Sequence, residues 1–268
     1  MIEQYWSVGT ALRNPNRVIR CLDIIDTFAG ITWTETTQLD YYIERILRGE
    51  VNPQNISVGR LRVLSQVDKR DYMYSNYEDA PMRGRVVGSL FEKLGLITTF
   101  PTINLTPLAK NGVKGIITQQ EMIKEALINW DVGNGHNLCS PLVLTIYLIL
   151  VVNNRYAIGS NVGMTGITVG EFRQFVMEID DYSQIDNAVN NILSNRRALS
   201  GYFWEDSTEK DYKDNNLKYF KATDLVLTRY PISSSDNVLI DLDYTQRAEL
   251  NRIINTYIPS AVRSICGL

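Results

Sequence analysis

One run of local signals, from Pro81 to Gly95, constrains the fold more than any other part of the sequence. Pro81 fits the first turn of a helix. Apolar residues then recur at helical spacing, at Val86, Val87, Leu90, Phe91 and Leu94. Gly95 follows, and glycine often ends a helix because it adopts the left-handed conformation without strain. The pattern predicts a helix from Pro81 that buries one face.

The residues after this helix narrow the fold further. Two short β-prone segments, 96–99 and 103–106, flank a break at Phe100-Pro101, and Pro107-Leu108-Ala109-Lys110 begins another short helix. This order of helix, hairpin and helix is typical of winged-helix domains. In such a domain a helix fits the major groove of duplex DNA, and the hairpin lies on the backbone or the minor groove.

A weaker version of the same order recurs near the C-terminus, where a predicted helix over 211–223 precedes predicted paired strands over 225–228 and 238–241. Further helices are predicted before, between and after these two regions, over 14–30, 36–49, 53–67, 119–130, 142–152, 168–177, 183–197 and 245–257. The predicted fold is mostly α with small β-hairpins (α+β), with two winged-helix-like subdomains joined by a helical segment.

Three segments follow from this prediction. Residues 1–117 hold the N-terminal helices and the first winged-helix-like subdomain, residues 118–200 form the helical connecting segment, and residues 201–268 form the second subdomain.

Composition excludes some classes of protein. With 44% hydrophobic and 21% charged residues, the chain can bury a core, which argues against disorder. The longest apolar stretch, 142–152, is too short to span a bilayer and is predicted to be a buried helix, so no membrane is expected as a partner. Cys21, Cys139 and Cys266 are odd in number and widely spaced, and the N-terminus has no secretory signal. Both features favour the cytoplasm and core-filling cysteines.

The net charge alone does not indicate a nucleic-acid partner. The net charge is −3, and the small basic excess lies in residues 1–112, which hold 13 Lys and Arg against 12 Asp and Glu. Binding depends on where charge lies rather than on its sum. The candidate contacts with double-stranded DNA therefore come from position in the predicted elements.

The helix from Pro81 supplies the first candidates. Arg83 and Arg85 lie towards its N-terminal end, and Ser89 and Lys93 lie on its polar side. Arginine pairs bidentately with guanine, a contact worth roughly 1–3 kcal/mol of discrimination. The alternative is an ordinary solvated face.

Further candidates lie elsewhere in the chain. A polar and aromatic segment, 71–77, is predicted to be a loop or frayed helix start, whose side chains either bind phosphates and bases or pack between subdomains. Arginines near the start of the first helix, and basic residues of the second region, are candidates for phosphate contacts. These candidates are Tyr72, Tyr74, Asn76, Arg13, Arg17, Arg20, Lys213, Lys218, Lys221 and Arg229.

No complete catalytic centre is predicted. The one match to a magnesium-binding nuclease motif, Asp211-Tyr212-Lys213 behind Glu205-Asp206, follows polar residues rather than a buried strand, so a solvated loop is the better interpretation. The single histidine, His136, cannot form a two-histidine zinc site. Asp180-Asp181 fits a loop or helix cap. We therefore predict no catalytic residue, metal site or cofactor in this chain.

The residues also resemble a known family. The opening run from Tyr5-Trp6-Ser7 to Arg13-Asn14-Pro15 resembles the start of AlwI-type type IIS restriction endonucleases, which include site-specific nicking endonucleases. Other blocks resemble the family's first recognition helix and wing, the segment after it, and the second helix and wing: 83–87, 94–97, 105–109, 137–152, 216–220 and 225–227.

The resemblance implies an N-terminal recognition region, a helical linker and a C-terminal PD-(D/E)XK cleavage domain that uses Mg²⁺. It implies recognition of a short asymmetric site and cleavage outside it. This chain stops where the linker would begin, so we expect it to bind DNA as part of a type II site-specific deoxyribonuclease, while a separate or C-terminal nuclease domain cuts. The alternatives are a winged-helix regulator or mobile-element protein, and a scaffold that contacts proteins rather than DNA.

Overall fold

The structure is a computed structural model that describes residues 6–133, 138–159, 165–197, 215–229 and 239–267. The chain divides into two compact units, an N-terminal unit of residues 9–126 and a C-terminal unit of residues 1–8 and 127–268. Several sequence features lie outside the described residues: His136, the motif from Glu205 to Lys213, and most of the segment between the predicted strands 225–228 and 238–241.

The N-terminal unit is helical apart from one hairpin. Its elements are α1 (Val18–Asp26), α2 (Glu35–Leu47), α3 (Val58–Val63), α4 (Gln66–Asn76), α5 (Ala80–Lys93), β1 (Ile97–Thr98), β2 (Asn104–Leu105), α6 (Pro107–Val113) and most of α7 (Gln119–Ile128).

Capping side chains and glycines mark the ends of the first helices where the sequence predicts them. Asn14 caps a short 3₁₀ turn over Pro15–Arg17 that leads into α1, and the Thr34 hydroxyl accepts from the Thr37 amide at the start of α2. Gly30 and Gly49 adopt positive φ after the two helices. The predicted helices over 14–30 and 36–49 are confirmed to within a few residues.

The next segment corrects two predictions. The helix predicted over 53–67 is instead two helices, α3 and α4, because Leu64 is extended and the Ser65 hydroxyl caps a new helix through the Asp68 amide. The segment 71–77, predicted to be a loop or frayed start, belongs to α4 as far as Asn76.

The constraining pattern from Pro81 is confirmed. Pro81 lies in the first turn of α5, Gly95 follows the helix at a φ of +63°, and the antiparallel hairpin aligns Ile97 with Leu105. The segment between α1 and α2 joins this hairpin, since Gly30 donates to the Ile103 carbonyl and Ile103 donates to the Ile31 carbonyl, each at 2.9 Å.

The C-terminal unit combines helices with one three-stranded antiparallel sheet in the order β3-β5-β4. Its elements are α8 (Pro141–Gly159), β3 (Ile167–Thr168), α9 (Val169–Glu171, continued by a π turn over Phe172–Val176), α10 (Ile185–Arg197), α11 (215–221), β4 (Val226–Arg229), β5 (Leu239–Leu242), α12 (Arg247–Tyr257) and α13 (Ser260–Cys266). The sequence predicts most of them, but β3 and α13 were not anticipated.

The core of the C-terminal unit surrounds α8 and Trp6. All but one of residues 142–152 are buried, as predicted. The Trp6 ring packs on Trp130, Phe172 and Phe220 with ring centroids 5.7–6.1 Å apart, and its indole N–H donates to the Ile179 carbonyl at 3.1 Å.

The fold is therefore mostly α with small antiparallel sheets. Within the described ranges, no helix has the length and apolarity needed to cross a bilayer. Cys21, Cys139 and Cys266 are buried and unpaired, which confirms the predicted core-filling role.

Candidate nucleic-acid interface

Helix α5 buries one face against α2 at unusually short range. A methyl group added at Gly84 would lie 2.0 Å from the Gln38 carbonyl oxygen, and one at Gly88 would lie 2.6 Å from the Trp33 ring. The two glycines, one turn apart, therefore let the helices touch. Val87, Leu90 and Phe91 complete the buried face.

The opposite face of α5 carries three of the predicted contacts. Arg85, Ser89 and Lys93 are exposed and follow one another at intervals of four residues, so they form a single stripe along the helix. We call these three residues the α5 stripe. Among the described residues no ion-pair or hydrogen-bond partner of Arg85 is found, and its side chain is exposed.

Arg83 lies apart from this stripe. Because a helix turns by about 100° per residue, Arg83 and Arg85 point about 200° apart. The Arg83 Nε donates to the Tyr77 hydroxyl at 2.7 Å, and its guanidinium lies 5.8 Å from the centre of that ring. Tyr77 in turn packs against Tyr42. The structure therefore gives Arg83 a packing partner and separates it from Arg85.

Lys93 ends the stripe at the last residue of α5. Its side chain is exposed, but the surrounding protein displaces part of the water around the amine, and this desolvation lowers the pKa of Lys93. The direct neighbour Glu92 accepts a hydrogen bond from the Thr99 hydroxyl of the hairpin. The end of the stripe and the hairpin are thus joined by side chains as well as by the chain itself.

The candidates of α4 make contacts within the unit. The Tyr72 hydroxyl accepts from the Ser57 amide at 3.0 Å, and its ring lies under the Arg60 guanidinium at 4.8 Å. The Tyr74 hydroxyl donates to Glu35 at 3.2 Å. The Asn76 amide donates to the Tyr72 carbonyl at 2.7 Å. A DNA contact by these side chains stays a prediction, and it would have to replace or share these bonds.

The arginines near the first helix surround a buried carboxylate. The side chain of Glu50 is 4% exposed, and it pairs with Arg17 Nε at 2.9 Å and Arg20 Nε at 3.1 Å. A buried carboxylate is costly without such partners, so both arginines stabilise the fold. Arg13 is exposed at the entry to this region. Phosphate contact by the three arginines stays a prediction.

The C-terminal unit places its described candidates on two elements. Lys218 and Lys221 are exposed on the same side of α11, three residues apart, whereas Asn216, Tyr219 and Phe220 of that helix are buried. Arg229 ends β4, and its guanidinium lies 3.4 Å from the fully buried carboxylate of Asp241 on β5. Lys213 lies outside the described residues.

Two further predictions concern the helix cap at Asp180-Asp181 and metal ligands. Asp181 accepts from the Ser183 amide at 2.7 Å, which confirms the cap predicted at Asp180-Asp181. In the part of the chain that the structure describes, no cluster of three or more His, Cys, Asp or Glu residues could hold a metal ion.

The sequence reasoning missed one exposed group in the hairpin that follows α5. Phe100, treated only as a break between strands, lies at the turn of the hairpin and is 89% exposed. The signal was available, because a phenylalanine between Thr99 and Pro101 in a short hairpin turn has no buried face to occupy.

Comparison with known proteins yields a likeness of fold. No protein-family model and no curated protein matches the sequence. Among solved structures, the chain is similar to the BpuJ1 endonuclease binding domain, seen in complex with pyrene- and phenanthrene-modified DNA. The TM-score is 0.58 and the sequence identity 10%, and the match covers 95% of this chain and 85% of that chain. The likeness of fold thus extends over nearly the whole chain.

Proposed function

We propose that this chain recognises a specific sequence in double-stranded DNA, as the recognition region of a restriction or nicking endonuclease. The observation that carries the proposal is the α5 stripe, an exposed row of Arg85, Ser89 and Lys93 on a helix whose other face is packed against α2. A helix so mounted can enter a major groove, where arginine and serine read base edges.

The likeness of fold supports the same proposal. The BpuJ1 endonuclease binding domain, as its name says, is part of an endonuclease, and it was crystallised with DNA. The order of elements also supports winged-helix-like units. In the N-terminal unit, the turn at Gly30-Ile31 hydrogen-bonds to Ile103 of the hairpin that follows α5, and in the C-terminal unit α11 precedes the paired strands β4 and β5.

The finer parts of the proposal follow the AlwI-type resemblance. We propose a type IIS enzyme in which a nuclease domain outside these residues, separate or C-terminal, cuts with Mg²⁺. The chain itself supplies binding, with Lys218, Lys221 and the arginines of the first helix as phosphate contacts. A cytoplasmic location belongs to the same proposal.

The test begins with selection of duplexes from a random pool by the full chain. A sequence-specific binder enriches one motif, and its affinity falls steeply as salt rises because bound cations leave the DNA. A winged-helix regulator would also enrich a motif. A nuclease domain encoded beside this chain would indicate an endonuclease rather than a regulator. Failure to enrich any motif, with no salt-dependent binding, would contradict the proposal and favour the protein scaffold.

Two single variants test the site. Arg85→Ala should lose roughly 1–3 kcal/mol of discrimination between the selected duplex and its single-base variants, since a bidentate arginine–guanine contact contributes about that much. Arg83→Ala tests the other predicted arginine of the same helix and should lose less discrimination, because its guanidinium is held by Tyr77. Competition binding with fluorescent duplexes measures both. Equal discrimination by Arg85→Ala and the unaltered chain would remove Arg85 from the interface.

A further inference from the structure

The turn of the β1–β2 hairpin displays an aromatic ring. Phe100 is 89% exposed, more than any other large hydrophobic side chain in the described residues. Burying a phenylalanine side chain stabilises a protein, and the fold forgoes that stabilisation here. The neighbouring Pro101 is exposed as well.

Both arms of the turn are held in place. On the β1 side, Ile97 is buried and the Thr99 hydroxyl donates to Glu92 of α5. On the β2 side, Ile103 is fully buried and exchanges backbone hydrogen bonds with Gly30 and Ile31.

A side-chain bond braces the turn itself, since the Asn104 amide donates to the Thr102 hydroxyl at 3.1 Å. The backbone that carries the Phe100 ring is therefore held in place, so little backbone conformational entropy is lost when the ring meets a ligand.

The turn is also linked to the surface that the proposed function assigns to DNA. Thr99, next to Phe100, bonds Glu92, which is next to Lys93 at the end of the α5 stripe. If the stripe lies in a major groove, the hairpin reaches the adjacent minor groove. An apolar ring placed there meets base steps rather than charged side chains, and phenylalanine is one of the residues that other DNA-binding proteins insert between bases from the minor groove.

We propose that Phe100 is a wedge that enters one base step of the bound duplex from the minor groove and partly unstacks it. The inference rests on the proposed function and adds to it a residue and a mode of readout. Pyrimidine–purine steps unstack most easily, so such a wedge selects a TA or CA/TG step at one position of the site without any hydrogen bond to a base.

The experiment uses the full chain and a duplex selected from the random pool. Adenines of that duplex are replaced one at a time by 2-aminopurine, whose fluorescence rises when its stacking is lost. We expect a rise at one step on binding. Phe100→Ala should abolish this rise and weaken binding about tenfold, in the range found when aromatic residues that stack on bases are removed. Phe100→Trp should retain both.

Val63→Ala is the matched control. Val63 is 82% exposed on α3, outside the proposed interface, and its truncation should leave affinity and fluorescence unchanged. Circular dichroism of each variant verifies the fold.

The outcomes separate the two proposals. If the unaltered chain binds its selected duplex but no 2-aminopurine position responds, or if Phe100→Ala binds and responds as the unaltered chain does, the wedge is refuted and the proposed function stands. If the unaltered chain binds no duplex, the proposed function fails and the wedge fails with it.

Discussion

Gly84 and Gly88 are the residues on which the position of α5 depends. Because neither has a side chain, the backbone of α5 approaches Gln38 and Trp33 more closely than any other residue type allows. Sequence reasoning assigned no role to either glycine, since a glycine inside a helical pattern is ordinarily only a weak point. Here each glycine is needed because of a residue about fifty positions earlier in the chain, and no local sequence pattern indicates that contact.

Gly84→Ala is predicted to destabilise the N-terminal unit. The new methyl group would meet the backbone oxygen of Gln38 at 2.0 Å, and a backbone atom cannot turn away as a side chain can. Overpacking of this kind costs about 1–3 kcal/mol or more. Gly59→Ala is the matched control, since its nearest neighbour is 4.0 Å away, and it should gain up to about 1 kcal/mol from better helix propensity. Urea unfolding measures both, and equal midpoints would contradict the packing argument.

The elements show how far local signals reach. Helix α5, the hairpin and α6 could be predicted because proline, glycine and alternating apolar residues specify their ends and faces. The break between α3 and α4 carries a signal too, since Ser65 and Asp68 have the spacing of a capping box, whereas the apolar spacing alone predicts one continuous helix.

Contacts between residues far apart in the sequence could not be predicted. The pairing of Arg17 and Arg20 with Glu50, and of Arg229 with Asp241, joins residues that no short pattern relates. The candidate site therefore has a part that could be predicted from the sequence and a part that could not. The α5 stripe follows from helical spacing alone, whereas the internal partners of the other candidates required the structure.

Thr106→Ala is predicted to weaken the junction between the hairpin and α6. The Thr106 hydroxyl accepts from the Ala109 amide and donates to the Gly95 carbonyl at 2.9 Å, so it caps α6 and ties it to the end of α5. Loss of such a cap costs about 0.5–2 kcal/mol. Thr106→Ser keeps the hydroxyl and should lose much less. Differential scanning calorimetry measures the midpoint of thermal unfolding, and the same midpoint for both variants would argue against the capping role.

At the scale of the whole molecule, buried thiols and phenols set the response to alkali. Burial raises the pKa of Cys139 and of Tyr42 to about 12, and it also raises the pKa of Cys21 and Cys266. In each case the folded state favours the protonated form, because a charge in these surroundings would be poorly solvated.

Stability should therefore be lost in alkali. Each of these groups has a higher pKa in the folded than in the unfolded chain, so its contribution is complete below the unfolded cysteine pKa of about 8.5 and declines as the pH rises towards 12. The urea midpoint should be level from pH 7 to about 8 and fall above about pH 9. Cys139→Ala should show a shallower fall. An unchanged midpoint up to pH 11 would contradict the assignment of these groups as buried acids.

The anchoring of Trp6 has a consequence for the order in which the chain is completed during synthesis. The Trp6 amide and indole N–H bond the carbonyls of Met177 and Ile179, and the Val8 amide bonds the side chain of Asn216. These partners leave the ribosome long after residues 6–8, whereas residues 9–126 form a compact unit from one continuous stretch of chain. During synthesis the Trp6 side chain therefore stays exposed to solvent until residues 177–216 have been made, and chaperones can bind it over that interval.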